Sequence, residues 1–139
     1  MEFNATATAT APVTPCWTAL TDVADWPNWT ASITSVTPLD TPEVAVGNRF
    51  RVVQPGLPAL VWTVTEVAEG ESFVWETRAP GARTVGWHRL TPVPDGVRID
   101  VGVTQTGALG TLVAALMRGR TRRYLTLEAA GLKAAGESR

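Results

Sequence analysis

The 139 residues include one cysteine and one histidine, and each scarcity closes off a class of chemistry. A lone Cys16 cannot form an internal disulfide and has no second cysteine with which to build a structural zinc site. A lone His88 permits at most one catalytic triad, and no Ser or Cys sits in a nucleophile elbow, so a hydrolase is poorly supported. Scattered carboxylates show none of the ligand spacing of zinc or non-haem iron sites, and no metal or cofactor is expected. Long apolar runs are also missing. No stretch reaches the roughly 18 apolar residues of a membrane span. The N-terminal MEFNATATAT lacks the charged and apolar regions of an export signal. These absences predict a cytoplasmic protein without stable membrane insertion.

Positive charge is not in surplus: 12 Lys and Arg stand against 13 Asp and Glu, for a net charge of −1. Gripping phosphates independently of sequence needs clustered cations in excess, so nucleic acid is not an expected partner. The local exception is Arg118, Arg120, Arg122 and Arg123, near the start of a predicted helix. This group reads either as a solvated helix face or as an anion or membrane-surface patch.

The chain has the length of one ordinary domain, without repeats or a linker, and residues 1–139 are read as a single ligand-binding unit. Residues 2 to 11 alternate weakly, with Phe3, Ala5, Ala7 and Ala9 on one face, as an edge strand does. Thr14 and Pro15 predict a helix start with Thr14 as its cap, and Cys16, Trp17, Ala19 and Leu20 give that helix an apolar face. Cys16 reads as a small buried hydrophobe, with a lowered thiol pKa as the alternative. Asp22 to Trp29, around Pro27, predicts a second helical turn or tight loop capped by Asp22 or Asp25.

Six short β-rich runs follow, near 32–38, 48–54, 59–67, 72–78, 83–91 and 97–106. Glu69-Gly70-Glu71 and Pro94-Asp95-Gly96 are the clearest hairpin turns, so the pattern is an antiparallel meander. After Gly107 the spacing turns helical, with Leu109, Leu112, Leu116, Tyr124, Leu127 and Leu132 available for one broad stripe to about residue 135, and Gly119 and Gly131 as points where that helix bends or loosens. The prediction is an α+β fold: a curved seven-stranded antiparallel sheet around one long C-terminal helix, with two short helices after the first strand.

Alternation predicts which side of each strand faces in. Val97, Ile99, Val101 and Val103 share one face of the last strand; Phe73 and Trp75 share one face of theirs, and Leu60, Trp62 and Val64 another. On 83–91 the face of His88 and Leu90 is taken as inward, which leaves Trp87 outside. Six tryptophans in 139 residues serve either a core or a pocket wall, and a strongly curved sheet encloses space on its concave side.

The run WTALTDVADWPNWT at 17 to 30 resembles the helix-loop signature of the START-like, or SRPBCC, superfamily, in its polyketide cyclase/dehydrase-like branch. VWTVTEVAEGESFVWET (61 to 77) and HRLTPVPDGVRID (88 to 100) look like that branch's central and later hairpins, and LTLEAAGLKAAGE (125 to 137) resembles its closing helix. The resemblance implies a helix-grip fold, also called Bet v 1-like, with a cavity for lipids, polyketides or other apolar ligands. It implies a site more than a reaction, because one fold serves carriers, sensors and cyclases.

Parity and this resemblance together nominate Trp29, Phe50, Val52, Trp62, Trp75, His88, Val101, Leu116 and Tyr124 as cavity-lining residues. Two functions follow. The first is a carrier or sensor of an apolar small molecule. The second is a cyclase or dehydratase with His88 as general base, oriented by a carboxylate or Tyr124 and helped by Arg89 or Arg78. A chaperone-client module with an exposed groove ranks third. An enzyme should point at least two polar groups into one pocket, whereas a carrier manages with an apolar wall. Monomer and homodimer both remain open, a dimer using an edge strand or the outer face that carries Trp87.

Overall fold

The computed structural model describes residues 1–139. Seven strands form one antiparallel sheet in the order β1-β7-β6-β5-β4-β3-β2: β1 Glu2–Ala9, β2 Ser35–Pro38, β3 Arg49–Val53, β4 Leu60–Ala68, β5 Ser72–Ala79, β6 Ala82–Val93 and β7 Gly96–Thr106. Strands β2 to β7 are a meander. β1 joins its far end by pairing with β7, which makes it an edge, as its weak alternation predicted. Helix α1 (Val13–Thr21) and a 3₁₀ turn (Val23–Asn28) follow β1, and α2 (Ala108–Leu116) and α3 (Arg118–Glu137) close the chain.

The inward faces follow the alternation. Val97, Ile99 and Val101 are completely buried, as is Phe73; Trp62, Val64, Trp75, His88 and Leu90 are buried on the same side. Against them α3 lays a stripe of Leu125, Glu128, Ala129, Leu132 and Ala135, spaced at three and four residues. Trp87 is half-buried on the outer face, across Gly102, where a Cβ would come within 2.2 Å of the indole. The outer tryptophan therefore has a partner within its own sheet.

Two helix expectations need correcting. The first helix begins at Val13, with Pro12 in the cap position and no side-chain cap, so Thr14 already lies inside the helix. The C-terminal stretch is two helices that break at Met117. Because α2 turns away at that break, Leu109, Leu112 and Leu116 do not continue the buried stripe of α3 but are exposed. Cys16 is buried, and burial pushes its thiol pKa up, with nearby Glu137 adding to the rise. This removes the alternative of an activated thiolate.

Both ends of α3 are tied to the sheet side of the molecule. At its start, Tyr124 Oη donates to the Pro55 carbonyl, and Arg120 Nη1 donates to that of Gly56 at 3.0 Å. At its end, Glu137 Oε2 accepts from both the backbone N–H and the hydroxyl of Thr10 at 2.8 Å, and Lys133 Nζ lies 2.9 Å from Oε1. The Thr10 N–H, then Lys133 and the Thr10 hydroxyl, hold the Glu137 carboxyl down at about 2, against an ordinary 4.5. A carboxyl depressed in the folded state stabilises it fully above the ordinary value and loses that effect as pH falls toward the folded one. Thermal midpoints should therefore drop as pH falls from 4.5 toward 2. Glu137→Gln should lower the midpoint at neutral pH and flatten this part of the profile; an unchanged profile would show that the clamp contributes nothing.

Candidate functional site

The register of the central strands sets which rings meet. Trp75 on β5 pairs with Gly86 on β6, Phe73 with His88, and Phe50 on β3 with Trp62 on β4. A Cβ at position 86 would lie 2.8 Å from Trp75 Nε1 and 3.4 Å from the Trp62 ring, so the glycine makes the room that both indoles use. Trp26, from the 3₁₀ turn, stands over this group with its ring centre 5.3 Å from that of Trp75 and 5.4 Å from that of His88. Its Nε1 donates to the Leu20 carbonyl at 3.0 Å, which fixes the indole from behind.

Between these rings and α3 lies a cavity of about 140 Å³. Trp26, Ile33, Leu60, Trp62 and Trp75 give it an apolar wall, and Met117, Thr121, Tyr124, Leu125 and Glu128 close it from the helix side. Its polar lining comes from Gln54, Thr84, His88, Gln105, Arg120 and Glu128. The volume is close to the roughly 150 Å³ of an apolar cavity that holds one benzene, and well below the ~300–1,000 Å³ usual for drug-sized ligands.

Two polar features of the wall carry chemistry. His88 is buried and stacked on Phe73 at 4.2 Å between ring centres. Its Nδ1 is 3.2 Å from the Phe73 carbonyl oxygen, and its Nε2 is 3.3 Å from Glu128 Oε1. A carbonyl only accepts, so Nδ1 carries a hydrogen, and the facing Nε2 and carboxylate attract each other only with a proton between them. The pair sets an imidazole nitrogen and a carboxylate oxygen side by side on the cavity wall. The second feature is Gln105, whose Oε1 is buried without a hydrogen-bond partner. An orphaned acceptor on a cavity wall is costly unless something donates to it.

The structure brings Trp62, Trp75, His88 and Tyr124 together on the cavity wall. Phe50, Val52 and Val101 belong instead to the packed core outside the lining, and Trp29 is half-buried against Trp26, 5.5 Å between ring centres. Parity picks the concave face but not the position along it, and the cavity occupies only part of that face. Leu116 is 76% exposed, far from a lining role, because it sits on α2 beyond the break. Tyr124 spends its hydroxyl hydrogen on Pro55, so the group facing His88 is Glu128, one turn further along α3. Arg89 and Arg78 are exposed and point no charge into the cavity. Sequence reasoning passed over Glu128 and Gln105. The i, i+4 relation to Tyr124 leads to the first, and two more residues along the alternation of β7 lead from Val103 to the second.

The polyketide cyclase/dehydrase and lipid transport family model matches residues 1–137. No curated protein matches the sequence. Among solved structures, a hypothetical protein from Helicobacter pylori is 15% identical with a TM-score of 0.80, over 97% of this chain and 86% of that one. A protein from Thermus thermophilus is 16% identical with a TM-score of 0.77, over 99% and 98%. The Zhui aromatase/cyclase of a Streptomyces species is 15% identical with a TM-score of 0.72, over 100% and 94%. At such identities the likeness establishes the fold. The geometry at His88 is directly testable: nitrogen-15 NMR should show Nδ1 protonated, as its contact with the Phe73 carbonyl requires, and a bare Nδ1 would contradict the assignment.

Proposed function

Because the chain belongs to the polyketide cyclase/dehydrase and lipid transport family, we propose that its cavity binds an apolar small molecule of about one ring that carries a hydroxyl group. The observation that carries this reading is the cavity of about 140 Å³, walled by Trp26, Trp62 and Trp75, with Gln105, whose Oε1 has no hydrogen-bond partner, among its lining residues. Indole faces give the ring apolar contact, and a hydroxyl that donates to Gln105 satisfies the orphaned acceptor. The protein then acts as a carrier or sensor of such a metabolite.

Titration of a phenol against toluene, followed by calorimetry, tests it. Phenol should bind more tightly than toluene, and Gln105→Leu should cost phenol about 1 kcal/mol, or about fivefold, while leaving toluene unchanged. Trp75→Ala should weaken both ligands. Since that truncation also costs about 3–5 kcal/mol of stability at a packed site, affinity is to be compared on folded protein. Unchanged affinity with lowered stability would make Trp75 a core residue only.

A second reading rests on the His88–Glu128 pair. A bound ketone whose α-carbon lies beside this pair can lose a proton to it and take one back from solvent, the elementary step of cyclase- or dehydratase-type chemistry. Cyclohexanone in deuterated water is a suitable probe. Exchange above the solvent rate that Glu128→Gln abolishes would favour an enzyme, and equal rates for the two proteins would leave the carrier reading alone.

A further inference from the structure

Helix α2 wears its apolar stripe on the outside. The residues it buries are Gly110 and Ala114, one turn apart, and it packs against β6 and β7. Leu109, Leu112, Val113 and Leu116 follow the i, i+3, i+4, i+7 spacing that an amphipathic helix normally turns to a core. Here they are 52%, 55%, 47% and 76% exposed. Four large apolar side chains on one face of a nine-residue helix form a patch, which monomeric surfaces rarely leave without use.

Directly beyond the stripe come Arg118, Arg120, Arg122 and Arg123, all exposed and none within ion-pair distance of a carboxylate. Arg122 lies over the Phe3 ring, while Arg120 and Arg123 line a shallow groove beside Pro55, Gly56 and Tyr124. From Val101 to Leu127 the chain contains no Asp or Glu. An acid-free segment that joins an exposed leucine stripe to unpaired arginines has the composition that holds a protein at a bilayer interface.

We propose that α2 and the first two turns of α3 form a docking surface for an anionic lipid bilayer, with Leu109, Leu112, Val113 and Leu116 entering the interface and Arg118 and Arg123 meeting phosphate-bearing headgroups. No helix is long and apolar enough to cross a membrane, so the contact is peripheral and reversible. The charge pattern favours a bilayer over a second copy of the chain. A two-fold dimer through this stripe would set two arginine groups together with no carboxylate nearby to neutralise them. The overall net charge of −1 does not oppose docking, because charges more than about 8 Å away are largely screened at physiological salt. The proposal is independent of what the cavity holds, although Met117 and Arg120 place the surface beside the cavity wall.

Co-sedimentation of the full chain with vesicles tests it. Phosphatidylcholine vesicles containing phosphatidylserine should bind the protein, while pure phosphatidylcholine or high salt should reduce binding about tenfold. The double variants Leu112→Ser/Leu116→Ser and Arg118→Glu/Arg123→Glu should each lower binding about tenfold with thermal midpoints unchanged, since these side chains are exposed. Absent or composition-independent binding by the wild-type chain would overturn the proposal. So would variants that bind as the wild type does, or a concentration-dependent dimer, without vesicle binding, that Leu112→Ser/Leu116→Ser dissolves.

Discussion

The register of β5 against β6 is the constraint on which the concave side depends. Pairing Phe73 with His88 and Trp75 with Gly86 places two large rings opposite a flat imidazole and an empty position. Each ring therefore has room beside it. A slip by one residue would turn one strand over, sending either Phe73 and Trp75 outward in exchange for Val74 or His88 and Leu90 outward in exchange for Trp87, which strands with one buried face do not tolerate. Trp26 then closes the group from the 3₁₀ turn, within about one ring's width of Trp75, Phe73 and His88.

The helix supplies the opposite wall. Tyr124 and Arg120 tie the start of α3 to the loop that precedes β4, and Glu137 ties its end to the residue after β1. Held at both ends, the helix carries Glu128 to His88 at 3.3 Å and leaves a space of about 140 Å³ beside them. The space thus meets the His88–Glu128 pair and, from β7, Gln105, whose Oε1 has no hydrogen-bond partner. The cavity is small because the tryptophans that build its wall also fill most of the concave side.

Much of the architecture was legible because the strands alternate cleanly. Val97 to Val103 set an inside, the glycine-bearing turns set the hairpins, and the helical spacing after Gly107 set the closing element. What remained hidden is what periodicity does not encode. Gly119 marks a weak point of the helix two residues beyond the break at Met117, but the apolar residues before it continue the helical spacing, so periodicity does not show that α2 buries Gly110 and Ala114 instead of its leucines. Phe50, Val52 and Val101 share the parity of Trp62 and Trp75, yet position along a curved sheet decides which residue meets empty space. The partner of His88 lies 40 residues away in the chain, on an element whose rotation about its axis the sequence does not set.

The central claim is that the space between Trp62, Trp75 and α3 is a binding site for a ring with a hydroxyl group. The most direct test is NMR mapping of the protein with saturating phenol, read at the indole N–H signals and backbone amides. The account predicts shifts concentrated at Trp62, Trp75, Gln105, Thr121 and Glu128. Shifts confined to exposed residues such as those of α2, with the indoles of Trp62 and Trp75 unmoved, would contradict it.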